Sequence, residues 1–99
     1  MALKLIVQEH SFEEPGTLTN QVVDVGGTIY NGQATVVLRS FQCFFKDGES
    51  HHLKKVVAKI THVKVKETNV EYDLEFDFKD DSDHLGYGSI IVLVVADVD

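Results

Sequence analysis

Apolar and acidic side chains alternate strictly between residues 70 and 78. The apolar set is Val70, Tyr72, Leu74, Phe76 and Phe78, and the acidic set between them is Glu71, Asp73, Glu75 and Asp77. Because successive side chains of a β-strand point to opposite faces, this period of two predicts a strand with one core face and one solvated face. The preceding Glu67-Thr68-Asn69 predicts the turn of a β-hairpin.

The segment before that turn supplies the other strand of the hairpin, but its alternation changes phase. Val56, Ala58 and Ile60 are even-numbered, whereas Val63 and Val65 are odd-numbered. One extra residue in a strand reverses the phase, so we predict a β-bulge near His62. Its lysines should pair with the four carboxylates on a solvated face, at about 0.2–1 kcal/mol for each pair. These lysines are Lys55, Lys59, Lys64 and Lys66.

Turn-forming residues divide the rest of the chain into segments rich in β-branched and aromatic residues, without sustained helical periodicity. The cluster Gly86-Tyr87-Gly88 is interpreted as one of these breakers. Six strands at this spacing predict a single antiparallel β-sandwich domain over residues 1–99. The predicted strands are Leu3–Glu9, Asn20–Val25, Ala34–Lys46, Leu53–Lys66, Val70–Phe78 and Ser89–Val98.

Two of these strands are apolar at both parities, namely Val36-Val37-Leu38 and the run from Ile90 to Ala96. The outer face of a two-sheet sandwich is normally polar, so this pattern indicates that both faces are covered. Since no helix is predicted, a second copy of the chain is the expected cover, and a homo-oligomer is predicted. The alternative is scattered apolar exposure on a central strand, which is common in folded proteins.

Charge and composition narrow the classes of partner and compartment. The formal net charge of −7 repels phosphate backbones, which disfavours nucleic acid as a partner. No apolar stretch is long enough for membrane insertion, and Leu3–Val7 is too short for a signal-peptide core. We therefore predict a cytoplasmic protein, or one released without a signal peptide. The only cysteine, Cys43, is predicted to be a buried core residue, so no intrachain disulfide exists.

The most function-like segment is the loop from Lys79 to Gly86, where carboxylates, a serine and a histidine are crowded together. Candidate ligand-binding residues here and in the turn after Asp47 should lie together, exposed, at one end of the sandwich. A neutral or cationic ligand is expected, since carboxylates repel anions. These candidates are Asp80, Asp81, Asp83, His84, Tyr87, His51 and His52.

No metal, cofactor or catalytic site is predicted. Asp81, Asp83 and Gly86 match part of a calcium-binding EF-hand loop, but Leu85 occupies a ligand position and no glutamate closes the loop. A solvated acidic loop is the alternative interpretation. The five histidines lack chelating spacing on a common face. Nucleophile-elbow, metalloprotease and phosphate-loop motifs are absent from the sequence, so an enzyme is not expected.

An outline of strands covers about two-thirds of the chain. It runs from Ala34–Leu38 and Phe41, through the long Val56–Val63 strand, a hairpin and a polar Asp/Ser loop, to Val92–Ala96. This outline resembles the H-type lectin domain, the sugar-binding β-sandwich of snail agglutinins and discoidins, although the chain lacks the tryptophans usual in that family. The resemblance implies a trimer or hexamer, with saccharide held by inter-strand loops near subunit contacts.

These patterns predict a non-enzymatic oligomeric binding module, for which the resemblance implies carbohydrate as the ligand. The alternative function is a structural or assembly subunit of a larger homo-oligomeric particle that binds no small molecule.

Overall fold

A computed structural model describes residues 2–45, 53–80, 82 and 84–99. These residues form six strands and no helix: β1 (Ala2–Phe12), β2 (Gly16–Asp24), β3 (Ile29–Phe45), β4 (Leu53–Lys66), β5 (Asn69–Asp80) and β6 (Gly86–Val98). The predicted all-β class and antiparallel sandwich are confirmed, although most strands are longer than predicted. In this part of the chain, no helix has the length and apolar character needed to cross a membrane.

The strands form two three-stranded antiparallel sheets. Sheet A has the order β1-β6-β3, and sheet B has the order β2-β5-β4. β4 and β5 form the predicted hairpin through Glu67 and Thr68. Every other connection crosses from one sheet to the other. The loop after Asp80 thereby joins the two central strands, β5 and β6.

The core lies between the sheets and consists mainly of alternate residues of these central strands. The fully buried positions are Val70, Tyr72, Leu74 and Phe76 in β5 and Ile90, Val92, Val94 and Ala96 in β6. Aromatic pairs join the sheets, with ring centroids 4.9 Å apart for Phe12 and Phe76 and 4.6 Å apart for Phe45 and Phe78. The core face predicted for β5 from its alternation is therefore confirmed.

The predicted bulge at His62 is also present. The pairing of β4 with β5 shifts between Thr61 and Lys64, and His62 has a φ of 53°. On the outer face of sheet B, ion pairs join Lys55 to Asp77 at 3.0 Å, Lys59 to Glu75 at 2.9 Å and Lys66 to Glu71 at 3.0 Å. The alternation thus predicted the solvated face and three of its four lysine pairs; Asp73 contacts His62 instead of Lys64.

Gly86 and Gly88 lie inside β6, so the interpretation of this cluster as a break between strands is wrong. The two glycines instead allow neighbouring residues to approach the backbone of β6 closely. A Cβ atom on Gly88 would overlap the carbonyl oxygen of Gln42, and one on Gly86 would overlap the ring of Phe78. The absence of side chains lets β6 pair with β3 as far as Phe45.

Candidate functional site

Asp80 organises the acidic loop from within. Only 2% of this residue is exposed, so the expectation that it lies on the surface is wrong. Its Oδ1 accepts hydrogen bonds from the backbone N–H groups of Ser82, at 2.9 Å, and His84, at 2.8 Å. The Nδ1–H of His84 donates to Oδ2 at 2.8 Å. The carboxylate is therefore engaged in holding the loop closed, in the manner of an Asx turn.

The other candidate residues divide between several places. His84 is exposed beside Asp80, as expected. Asp81, Asp83 and the pair His51 and His52 lie outside the described residues, as does the turn after Asp47. Within the described ranges, no group of three or more His, Cys, Asp or Glu side chains is arranged to hold a metal ion.

Tyr87 contributes to a different surface, the outer face of sheet A. It lies directly opposite Phe44 of β3, and the two rings pack with centroids 5.7 Å apart at an angle of 33°. Both aromatic side chains remain partly exposed. Such a pair offers a flat apolar surface with a phenolic hydroxyl at its border.

A shallow groove of about 260 Å³ adjoins this aromatic pair. Its polar lining comes largely from β1 and β6, where Ser11 and Ser89 lie directly opposite each other. The residues that line it are Glu9, Ser11, Phe12, Glu13, Phe44, Tyr87, Gly88 and Ser89. Of these, the sequence analysis named only Tyr87 as a site residue. Gly88 and Ser89 follow Tyr87 directly, but the remaining residues lie far from it in the chain, and no local motif links them to it.

An apolar patch occupies the middle of the outer face of sheet A, with Thr35, Ser40 and Asp97 among the polar residues around it. By register, its side chains come from β1, from the central strand β6 and from β3. We call this surface the apolar face; it consists of Leu3, Leu5, Val7, Val37, Ile91, Leu93 and Val95. The β1 and β3 members are exposed, and the β6 members are half-buried between them. Core residues of β6 alternate with this set, which explains why the run from Ile90 to Ala96 is apolar at both parities.

A second polar site lies on the outer face of sheet B, where Asp73 holds bulges in both flanking strands. The backbone N–H of Asn20 in β2 donates to Oδ1 at 2.9 Å, and the Nδ1–H of His62 in β4 donates to Oδ2 at 2.9 Å. Both donor residues have positive φ values, 54° and 53°. A depression of about 250 Å³ adjoins these side chains. Since both carboxylate oxygens are engaged, the arrangement acts as a structural clamp.

The thiol of Cys43 has low reactivity. Cys43 lies half-buried on the core side of β3, opposite Gly88, and burial raises the pKa of its thiol. The thiolate is the reactive form of cysteine, so a raised pKa reduces its nucleophilicity at neutral pH.

Comparison with protein-family models, with curated proteins and with solved structures finds no match to this chain. The resemblance to H-type lectins therefore stays a prediction, and functional argument proceeds from the surfaces themselves.

Proposed function

We propose that this chain is a non-enzymatic oligomeric module that self-associates through the apolar face of sheet A. The observation that supports the proposal is the continuity of that face, which extends across all three strands. Single exposed apolar residues are common on folded proteins, but a continuous apolar patch usually marks an interaction site. Removing such a patch from water stabilises the assembly by about 25 cal/mol for each Å² of apolar surface buried.

The two sheets differ in a way that favours this assignment. The outer face of sheet B carries carboxylates paired with lysines and a histidine. The middle of the outer face of sheet A carries leucine, isoleucine and valine instead. A solvated sheet normally alternates between apolar core positions and polar outer positions, as β5 does. Sheet A departs from that pattern because the middle of its outer face is apolar where a solvated face would be polar. This supports a partner on the outer face of sheet A.

Self-association is tested by light scattering on protein eluting from a sizing column. We expect a mass well above the 11.1 kDa of one chain, with a trimer or hexamer as the assembly that the lectin resemblance implies. A monomeric mass at micromolar concentration would refute the proposal.

Two substitutions to glutamate provide a matched test of the surface. Leu5 on β1 is 61% exposed on the apolar face, and Val22 on β2 is 56% exposed outside it. Both substitutions change the net charge equally. Leu5→Glu should shift the mass towards 11.1 kDa, because a carboxylate is costly to bury, whereas Val22→Glu should leave the mass unchanged. Equal effects from both variants would contradict the assignment of the surface.

A second candidate function is saccharide binding in the groove beside Tyr87. Sugars combine apolar C–H faces with many hydroxyl groups. The aromatic pair of Phe44 and Tyr87 matches the former, while Ser11, Ser89 and the two glutamates offer hydrogen-bond partners for the latter. The glutamates favour a neutral ligand over an anion. A volume of about 260 Å³ lies just below the usual range for ligand sites, so a single sugar ring is the largest expected ligand.

The saccharide hypothesis is tested by NMR titration of labelled protein with a panel of neutral monosaccharides. Shifts should centre on Tyr87 and Ser89. Tyr87→Ala should abolish them, while Tyr30→Ala should not; the two tyrosines are similarly exposed, at 39% and 38%. Self-association without any saccharide shift would favour the alternative of a purely structural assembly subunit.

A further inference from the structure

The outer face of sheet A carries three charged side chains, Glu9, Arg39 and Asp97, that form no ion pair with any residue the structure describes. Arg39 is the only arginine of the chain, and it is exposed on β3. Glu9 is exposed on β1. On the outer face of sheet B, by contrast, Glu71, Glu75 and Asp77 have lysine partners, and Asp73 accepts a hydrogen bond from His62.

Strand register places Glu9 and Arg39 at the same level of sheet A, on opposite sides of β6. Glu9 pairs with Ile91. On β3, Leu38 pairs with Val92 and Ser40 with Ile91, so Arg39 is the extra residue of a bulge at the level of Ile91. Neighbouring strands lie about 4.8 Å apart, which puts β1 and β3 about 10 Å apart across the face.

We propose that the apolar face forms a two-fold interface with a second copy of the chain, in which Glu9 of each copy pairs with Arg39 of the other. This inference rests on the proposed self-association and specifies its geometry. If the two-fold axis runs along the strands, the two apolar faces meet and β1 of each copy lies over β3 of its partner. Residues at one level then face residues at the same level, so both Glu9–Arg39 pairs form together, and the two Asp97 side chains lie opposite each other at the far end of the face.

The other possible two-fold axis in the plane of the interface would leave the charge of Glu9 without a partner. A two-fold axis perpendicular to the strands and passing near Leu93 lays β1 over β1, and the level of Ile91 then meets the level of Val95. Glu9 would face Leu5 of the partner subunit and would be buried without a counter-charge, which is costly. Stacked sheets pack about 10 Å apart, a gap that glutamate and arginine side chains reaching from both sides can bridge.

An isologous contact of this kind pairs the copies two by two. The proposal therefore predicts an even number of copies, such as a dimer or a hexamer built from three dimers. Of the two assemblies implied by the lectin resemblance, it favours the hexamer.

Charge reversal tests the pairing directly. Glu9→Arg places two arginines together at each pair, and Arg39→Glu places two glutamates together. Each variant alone should weaken association by about tenfold or more, because like charges at an interface repel. An equimolar mixture of the two variants should associate like the wild type, since a heterodimer restores one opposite-charge pair at each position. Circular dichroism checks that each variant is folded.

Sedimentation velocity of the wild type, each variant, the mixture and Leu5→Glu separates the outcomes. Recovery in the mixture supports the proposal. Wild-type self-association that Leu5→Glu disrupts but charge reversal does not, or a mixture that fails to recover, overturns the two-fold pairing and leaves the proposed function standing. A wild-type monomer overturns both.

Discussion

The Nε2 atom of His10 lies 2.7 Å from the hydroxyl oxygen of Tyr72, so a hydrogen bond joins the core face of β1 in sheet A to that of β5 in sheet B. The rings meet edge to face, with centroids 5.7 Å apart. Burial lowers the pKa of His10 and raises the pKa of Tyr72 to about 12, and desolvation is the cause in both cases. Both groups are therefore held in their neutral forms.

This pair makes the free energy of unfolding depend on pH. Below the ordinary histidine pKa of 6.5, the unfolded chain binds a proton that folded His10 resists, so stability should fall as the pH decreases from about 6.5. Urea melts at about pH 7.5 and pH 5 measure the fall. His10→Gln should reduce it, because glutamine keeps a hydrogen-bonding group but does not titrate. An unchanged pH dependence in this variant would show that His10 is not responsible.

Alkaline unfolding provides the complementary measurement. Tyr72 becomes charged when its hydroxyl loses a proton. Because folding raises the pKa of this hydroxyl, it ionises at a lower pH in the unfolded chain than in the folded protein. Stability should therefore fall as the pH rises between about 10 and about 12. Tyr72→Phe should remove that contribution to the fall, at the cost of leaving His10 without its partner at neutral pH, about 1–3 kcal/mol.

Asp73 should matter more than its neighbours on the same face. Asp73→Ala removes hydrogen bonds to two bulged strands at once, and we expect a loss of about 1–3 kcal/mol in urea melts. Glu75 is the matched control, since it forms only a surface ion pair with Lys59. Glu75→Ala should stay within about 0.5 kcal/mol of the wild type. Equal losses would mean that the clamp contributes nothing beyond an ordinary surface pair.

The two faces of β5 should respond very differently to truncation. Phe76 is fully buried and stacks on Phe12. Phe76→Ala should cost about 3–5 kcal/mol, the scale for removing a buried aromatic ring. The same urea melts with Glu75→Ala provide the solvent-facing reference, and similar losses from both variants would contradict the register of β5.

Gly88 should tolerate no side chain. Gly88→Ala would force a methyl group into the backbone of β3, so we expect a loss of about 3 kcal/mol or more, the upper end for overpacking. Gly16→Ala is the control, because nothing lies within 4 Å of a Cβ atom there. Thermal melts of the two variants should differ clearly; a stable Gly88→Ala protein would contradict the close approach of β3 and β6.

The features predicted correctly are those that leave a periodic trace in the sequence. The alternation of β5 gave its core face, and the phase change before Val63 gave the bulge at His62. The double apolar parity of Ile90–Ala96 matches one buried face and one apolar outer face. Each of these signals depends on neighbours within one strand, where the geometry of the extended chain fixes side-chain direction.

The features that were missed depend on register between distant strands or on hydrogen bonds within a loop. Nothing near Asp73 in the sequence reveals that Asn20 will donate to it, and nothing near Tyr87 reveals Phe44 or Ser11. An aspartate in an acidic loop is expected to be solvated, yet hydrogen bonds from nearby backbone N–H groups hold the side chain of Asp80 in a buried position. Glycine at position 88 is typical of a turn, yet the reason for a glycine there is the close contact with the backbone of Gln42.

The bulges also have a consequence for how the sheets end. Three of the four edge strands in the described chain have interrupted pairing, with shifts after Leu18 in β2, after Leu38 in β3 and after Thr61 in β4. The fourth, β1, pairs regularly but carries Lys4 opposite the buried Ala96. Interrupted edges and a charged lysine on the edge strand oppose the docking of a further strand by main-chain hydrogen bonds. Open-ended growth into fibrils is thereby disfavoured, and contact between copies is directed to the face of sheet A, where it can close.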